Sequence, residues 1–546
     1  MGKNTSIRIA VSIGFFLLLG VPVVHADTLG DQKTFSIDAT YDALGRTQIN
    51  ATLRFVSTKA YFYVTDDQWN ALDATGRSTI TGLMNSLGNE FDTRIYPIET
   101  VFFGSEANPG VDGDSRITIL FANLKQGVGG YFDSSHGYTK SQISNSNERE
   151  MLYLNTGQFR EASRLYSFVA HEFQHLISHN QKELVRQISD DIWLNELRSE
   201  YAVTLLGYNT PLEGSNLERR IESFLNTPSD SLTEWKNTLI DYGHIAVFAE
   251  YIAQHFSSRV IADTLTTSSI GIISVNEALG RNGFSKSFDD LFREWMLDIF
   301  QNLRVPPTRT VTNFQDETVF NETINIKDWE QRWYDLQSFA PGIRSALRVQ
   351  FSAPSAVRVA YQVFHSDGRV ETIVSDGADI RITNLGTDVT RVVLMPYRNQ
   401  KVSNFSANEI AVPVTLTVRR VDPAEFVVTP EQFGLHEGDF IRAEGDYNIY
   451  IINQFGFKRL VLSPEICLQY GHLGARGCFS AVRLVTPEVR DAFKTSSFYS
   501  NGETNDRVVY QLIETGEDSA YLQRSDHVLD NAVFFINNRE QRTYTP

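Results

Sequence analysis

Five residues, His171 to His175, constrain this chain more than any other segment, because they read HEFQH. They lie within SRLYSFVAHEFQHLISHN, which has helical spacing of apolar residues and contains neither proline nor glycine. On an α-helix, residues four apart share one face about 6 Å apart along the axis, so His171 and His175 can direct two imidazoles at one Zn²⁺. Glu172 lies on the adjoining face, where its carboxylate can take a proton from an attacking water. The alternative is a helix with two unrelated histidines.

A second helical pattern downstream, WLNELRSEYA, offers a third ligand. Glu196 follows His175 at a distance that lets this second helix fold back and supply a carboxylate. Glu200 lies one turn further on the same face. Three protein ligands leave a fourth position open for water, which distinguishes a catalytic zinc site from a closed structural one.

A competing ligand set would use a later histidine. His179 is eight residues from His171, about 12 Å along a straight helix, which is too far to share one zinc ion with it. The HExxHxxGxxH arrangement is also absent, because Ser178 and Gln181 stand at its glycine and third histidine. We therefore predict that His179 is solvated or is a hydrogen-bond partner of a ligand.

HEFQH followed by NELRSE resembles the thermolysin-like zinc peptidases, the gluzincins, whose pattern is HExxH followed by NExxSD or NExxSE. The segments GVGGYFD (127–133) and SNEREMLYLN (146–155) extend this to a resemblance to hyicolysin-type secreted bacterial neutral metallopeptidases. The resemblance covers roughly residues 35–300. It implies an α+β zincin-like domain, in which a mixed sheet is followed by a helical lobe.

The same resemblance implies the roles of individual residues. His171, His175 and Glu196 would hold one Zn²⁺ per chain, and Glu172 would be the general base. Glu200 would hydrogen-bond a ligand histidine, as ligand histidines usually require. The chain departs from the group's usual Gly-Leu at Leu197-Arg198, and we expect Arg198 to lie on the solvent side of its helix.

Two further features follow from the resembled fold. An edge strand at Gly129, Gly130 and Tyr131 would pair with the substrate backbone, and its two glycines permit either close approach or a bulge. Tyr242 or His244, at the start of a helix facing the site, would donate a hydrogen bond to the developing oxyanion. Tyr242 ranks first because Gly243 follows it, and the alternative is that both residues only pack or cap a turn.

The N-terminus predicts export. Met1 to Ala26 has a positive start, an apolar stretch and small residues at −3 and −1, which is typical of a signal peptide cleaved after Ala26. The alternative, an uncleaved anchor, is disfavoured because the stretch is short and contains Pro and Gly. The net charge of −17 excludes nucleic acid as a partner, since phosphate binding requires a basic surface. We expect a secreted monomer that acts on proteins or peptides.

At 546 residues the chain should form several domains. We place a metallopeptidase domain at 27–304, with a sheet lobe to about 160 and a helical lobe at 160–304. Alternating patterns after VPP predict a β-sandwich at 305–422. A small α/β or mostly-β accessory module, with attachment or stabilisation as its expected role, follows at 423–546. The division predicts that a chain ending near Val305 still folds.

Two minor features leave alternatives open. Cys467 and Cys478 form either one local disulfide, which the exported location favours, or a pair of buried thiols. Asp112 and Asp114 flank Gly113 in GVDGDSR, and one interpretation of this segment is a calcium loop. We predict a tight acidic turn instead, because a full calcium loop requires further ligands.

The prediction is therefore a secreted zinc endopeptidase. The first alternative is a catalytically silent surface or binding protein that keeps the zincin fold. The intact set of His171, Glu172, His175 and Glu196 weighs against it. The second alternative, a gluzincin aminopeptidase, ranks lower because no GAMEN-like acidic segment is present to hold a substrate amine.

Overall fold

The computed structural model describes residues 26–158, 162–312, 318–337, 339, 345–353, 357–375, 379–400, 409–426, 428–504, 507–516 and 519–544. The signal peptide predicted at Met1 to Ala26 lies outside these ranges except for Ala26, and it stays a prediction. Among the helices in these ranges, none has the length and apolar character needed to cross a membrane.

A mixed six-stranded sheet, in the order β1-β2-β3-β4-β6-β5, forms one wall of the molecule's main cleft. Its strands are β1 (Gln32–Ser36), β2 (Gln48–Val56), β3 (Ala60–Thr65), β4 (Ile117–Ala122), β5 (Gly130–Phe132) and β6 (Met151–Asn155). β3, β4 and β6 run parallel, while β5 pairs antiparallel with β6 at the edge. The parallel strands are buried throughout, which explains their continuous apolar sequences.

The segment from β1 to Phe103 belongs to this unit. It supplies three of the six strands and the helices α1 (Asp66–Asn70), α2 (Ala74–Glu90) and α3 (Tyr96–Phe103), with a π-helical turn at Phe91–Ile95. Phe91 packs edge-on against Phe173 of the HEFQH segment at 5.0 Å between ring centroids. Removal of the first hundred residues would therefore dismantle the sheet beneath the site.

Helices form the opposite part of the cleft. They are α4 (Ala162–Ser178), a π-helical turn (His179–Leu184), α5 (Ile192–Leu205), α6 (Asn216–Asn226), α7 (Leu239–Ile252), a second π-helical turn (Ala253–Ser257), α8 (Ser258–Asp263), α9 (Gly271–Arg281) and α10 (Phe288–Asn302). α4 packs on β5, β6 and α5, and α7 packs on α5 and α6. A capping box between Thr238 and Asp241 fixes where α7 begins, and thereby where its first turn meets the cleft.

An all-β region follows the helices. Its strands are β7 (Arg309–Val311), β8 (Thr318–Ile326), β9 (Tyr334–Gln337), β10 (Ser345–Ser352), β11 (Val357–His365), β12 (Val370–Ser375), β13 (Asp379–Leu385), β14 (Val389–Arg398) and β15 (Val412–Val421). Trp329 and Trp333, which precede β9, belong to the same hydrophobic core as α10. This region therefore shares its core with the helices.

The C-terminal module has two small sheets. Their strands are β16 (Phe440–Ala443), β17 (Tyr450–Ile452), β18 (Phe457–Leu460), β19 (Val482–Val485), β20 (Lys494–Thr495), β21 (Phe498–Asn501), β22 (Val509–Gly516), β23 (Ser519–Arg524) and β24 (Phe534–Ile536). Three short helices accompany them, α11 (Pro464–Leu468), α12 (Pro487–Ala492) and α13 (Asn538–Thr543). Cys467 and Cys478 are joined by a disulfide within the module's core, so the favoured pairing is confirmed.

Candidate metal centre

Three of the HEFQH residues face a cleft of about 630 Å³. The outer edge of β5 forms one wall of the cleft, α4 forms its floor, and residues of α5, α6 and α7 form the other wall. His171, Glu172 and His175 all line it from α4, and Glu196 lines it from α5. The structure thus brings together residues separated by some twenty positions in the chain.

Three ligand atoms converge in the cleft. His171 Nε2 lies 3.2 Å from His175 Nε2 and 3.3 Å from Glu196 Oε2, and His175 Nε2 lies 3.5 Å from that same oxygen. Zn–N and Zn–O bonds of roughly 2.0–2.2 Å in a tetrahedral site place ligand atoms about 3.4 Å apart. Among the residues that the structure describes, these three form the one group of His, Cys, Asp or Glu with metal-binding spacing.

The hydrogen-bond partners of the two histidines orient them for a metal. His171 Nδ1 lies 3.5 Å from Glu200 Oε1, and His175 Nδ1 lies 3.1 Å from Ser199 Oγ. Ser199 in turn donates to Gln174 Oε1 at 2.6 Å. We therefore assign the ring protons to Nδ1, which leaves both Nε2 lone pairs directed at the common point.

The environment of Glu196 Oε2 shows whether these residues fit a metal ion. This buried oxygen has no hydrogen-bond partner among the described residues, and two nitrogen lone pairs face it. Three electron-pair donors at such distances repel each other unless a cation lies between them. The donor set of two imidazoles and one carboxylate fits Zn²⁺.

Negative charge gathers around this point. Burial raises the pKa of Glu172, and protonation of His171 and His175 would oppose that rise. Burial alone would lower the pKa of His171. Its contact with Glu196, together with the charges of Glu172, Glu196 and Glu200, instead raises that pKa to about 9. The site is therefore electrostatically suited to a cation.

Two glycines let β5 lie directly against α4. A Cβ on Gly130 would lie 2.6 Å from the Tyr153 carbonyl oxygen and 3.3 Å from Glu172 Cγ. A Cβ on Gly129 would lie 2.2 Å from the Phe168 ring. Since β5 pairs with β6 without a register shift, the glycines serve close approach here rather than a bulge.

Glu200 is held by α6. Arg220 donates to both of its oxygens, at 2.8 Å to Oε1 and 3.1 Å to Oε2, and Asn216 donates to Oε2 at 3.0 Å. The Arg220 guanidinium also lies 4.2 Å from the centre of the Tyr242 ring. Sequence reasoning missed both α6 residues, because no local pattern connects them to Glu200. Ser199 could have been noticed, since it lies inside NELRSE.

The two candidates for the oxyanion donor are placed differently. Tyr242 lines the cleft, with its ring centroid 6.4 Å from that of His171. Burial, and then the charges of Glu196, Glu200 and Glu172, hold the pKa of Tyr242 well above its ordinary value, so its hydroxyl stays a donor. His244 is buried away from the cleft lining, with its ring nitrogens 2.9 Å from the Ile240 carbonyl oxygen and 3.2 Å from that of Pro228. The structure thus brings only Tyr242 to the site.

The expectation that Arg198 faces solvent is wrong. Its side chain is fully buried and donates to Asp190 Oδ2 at 2.8 Å and to Thr264 Oγ1 at 3.1 Å. A buried arginine requires such partners, and here they tie α5 to the segment that follows α8. The residue therefore supports the ligand-bearing helix from behind.

The prediction for His179 is also wrong. Its side chain is 4% exposed, and its Nδ1 lies 3.0 Å from Glu183 Oε2, not near a ligand. The reason is that α4 passes into a π-helical turn at His179, which places the ring between Phe132 and Tyr138.

Comparison with known proteins supports the metallopeptidase resemblance. No model of a known protein family matches the chain. The neutral metalloprotease ShpI of Staphylococcus hyicus is 30% identical over 192 residues, which cover 31% of this chain and 41% of ShpI. The chain thus matches less than half the length of that relative.

The solved structures that match the chain include two lysozyme inhibitors. The Aeromonas hydrophila lysozyme inhibitor PliG is 16% identical to this chain, with a TM-score of 0.13. The match covers 19% of this chain and 83% of the PliG chain. Its Salmonella Typhimurium counterpart is 10% identical and covers 21% and 99%, with a TM-score of 0.14. Such scores have no bearing on fold or function. The similarity to ShpI confirms the resemblance predicted from HEFQH and NELRSE, and over the matched segment this chain is similar to a bacterial neutral metalloprotease.

Proposed function

We propose that this chain is a secreted zinc endopeptidase with a zincin-like catalytic unit. The observation that carries the proposal is the triangle of His171 Nε2, His175 Nε2 and Glu196 Oε2, with sides of 3.2–3.5 Å, in an open cleft beside Glu172. The likeness to a neutral metalloprotease supports it.

The cleft offers a place for an extended peptide. β5 is the last strand of its sheet, so one edge of its backbone is available to add a substrate strand. Val128 to Phe132 line the cleft along that edge. A peptide bound there passes over His171 and Glu172, since Gly130 lies against Glu172.

The residues around the scissile bond have separate tasks. Zn²⁺, when bound by His171, His175 and Glu196, supplies a Lewis acid that polarises the carbonyl and makes water more acidic. Glu172 takes the proton of the attacking water and delivers it to the leaving amine. The Tyr242 hydroxyl, which has no hydrogen-bond partner among the described residues, donates to the developing oxyanion.

Two arguments weigh against the alternative functions. A silent binding protein has no physical need for a buried general base at the metal site. An aminopeptidase requires an acidic group to hold the substrate amine. The described residues that line the cleft include no carboxylate beyond Glu172, Glu196 and Glu200. Secretion, and an attachment role for the C-terminal module, stay predictions.

The first test is metal content. We expect about one zinc per chain. The His171→Ala variant should lose both the zinc and casein hydrolysis, because one of three ligands is removed. His179→Ala is the matched control on the same helical segment and should keep zinc. Metal analysis and casein digestion with and without a chelator measure both. Loss of zinc from the His179 variant with retention in the other would overturn the ligand assignment.

A second test concerns the oxyanion donor. Tyr242→Phe removes only the hydroxyl and should lower kcat by on the order of ten- to a thousand-fold, with KM and zinc content nearly unchanged. Tyr41→Phe is the control, since Tyr41 lines the opposite wall of the same cleft. If the Tyr41 variant alone loses kcat, the donor lies on the sheet side. If both keep it, neither tyrosine is the donor.

A further inference from the structure

One end of the cleft carries two arginines that the proposed mechanism does not use. Arg164 lies in the first turn of α4 and Arg219 in the first part of α6, and both line the cleft and are exposed to solvent. Among the described residues, neither has a carboxylate within ion-pair distance. Arg219 donates a hydrogen bond to Asn216 Oδ1 at 3.1 Å. Arg220, the third arginine of the cleft, differs because Glu200 neutralises it.

The positive charge at this end contrasts with the rest of the protein. The chain has a net charge of −17. The acidic residues lining the cleft are Glu172, Glu196 and Glu200. Glu196 belongs to the metal-binding group, Glu200 pairs with Arg220, and Glu172 is the proposed general base. Partial burial, followed by the positive charges of Arg164 and Arg220, lowers the pKa of Arg219. Because Arg164 and Arg219 both line the cleft, their two positive charges favour an anion between them.

Distance decides which part of a substrate could supply the anion. Arg164 precedes His171 by seven residues on the same face of α4, about 10.5 Å along the axis. An extended peptide advances about 3.3 Å per residue. Acidic and arginine side chains together bridge the remaining gap, so a carboxylate within about two residues of the scissile bond reaches this end.

We propose that Arg164 and Arg219 select peptides that carry a carboxylate within about two residues of the bond to be cleaved. The inference rests on the proposed endopeptidase function. Arginine suits this task because its planar guanidinium donates two parallel hydrogen bonds to a carboxylate. The carboxylate comes from an aspartate or glutamate side chain or from a peptide C-terminus, and the test separates these sources.

The test uses the zinc-loaded full-length chain and matched fluorogenic peptides. One series moves a single Glu or Gln through the positions flanking the cleaved bond, and a second compares a free C-terminus with an amidated one near it. At low salt we expect kcat/KM for the best Glu peptide to exceed that of its Gln partner by on the order of ten-fold. The ratio should fall as added salt screens the charges. In the Arg164→Gln, Arg219→Gln double variant it should approach one.

The control is Arg476→Gln, which removes an exposed arginine of the C-terminal module and should leave the ratio unchanged. Equal cleavage of Glu and Gln peptides by the wild type, or an unchanged ratio in the double variant, would overturn the inference while the endopeptidase function stands. If no peptide is cleaved, the proposed function fails. In that case, fluorescence anisotropy measures how tightly the same peptides bind. Equal affinity for the Glu and Gln peptides would overturn the proposed selection for a carboxylate. Preference for the free C-terminus alone would assign the carboxylate to the peptide end.

Discussion

Replacement of Glu172 by glutamine is expected to lower peptide hydrolysis by on the order of 10²- to 10⁴-fold while zinc content and stability stay near wild type. Glutamine has the same shape as glutamate, but its amide cannot accept the proton of the attacking water. Glu172 lies in the cleft yet is not one of the three residues whose ligand atoms converge. Initial rates with a fluorogenic peptide, metal analysis and thermal unfolding measure the three quantities.

Glu183→Gln is the matched control, because Glu183 lies in the continuation of the same helix and its carboxylate contacts His179. It should keep normal activity. Near-normal hydrolysis by Glu172→Gln would remove Glu172 from the mechanism. Loss of zinc in that variant would instead make Glu172 a ligand.

A chain that ends at Val305 is expected to be unfolded or aggregated, the opposite of what the sequence alone predicts. Trp329 packs on Phe288 at 4.7 Å and on Phe292 at 5.4 Å between ring centroids. The Trp333 indole donates to the Met296 carbonyl oxygen at 3.3 Å. Loss of one large core aromatic costs about 3–5 kcal/mol, and whole domains are stable by about 5–15 kcal/mol. Circular dichroism and the soluble yield after expression measure the outcome.

A chain that ends at Phe426 is the control for this truncation. It removes the C-terminal module, whose two hydrophobic clusters are built from residues 428–544 alone. We expect it to fold and to keep zinc and peptidase activity. A folded, active chain ending at Val305 would show that the shared core contributes little to stability.

The ligand helix is the part of the site that local sequence predicts best. The spacing of His171 and His175 equals about one helical turn, so their convergence follows from backbone geometry whatever surrounds the helix. Glu172 follows for the same reason. Glu196 required the further assumption that a second helix folds back, and the structure places it 3.3 Å from His171.

The partners of these residues depend on contacts that no local pattern encodes. Arg220 reaches Glu200 from another helix, and Ser199 connects His175 to Gln174 across two helices. Tyr242 faces the cleft, but His244 faces the core. Each helical residue adds about 100° of rotation, so two residues point their side chains about 200° apart. Which of the two faces the cleft depends on how α7 packs on α5 and α6.

Arg198 and the all-β region show most clearly what local sequence cannot predict. A charged residue on a helix predicts exposure, since burial costs free energy unless partners are present. The partners of Arg198, at Asp190 and Thr264, lie 8 and 66 positions away in the chain. Likewise, Val305-Pro306-Pro307 predicts where the helices end. The same pattern cannot show that Trp329 packs into the hydrophobic core of those helices. The sequence by itself determined the periodicities and the chemistry that they present. Tertiary packing decided which faces are buried and which distant residues meet, because burial depends on neighbours that the folded chain alone supplies.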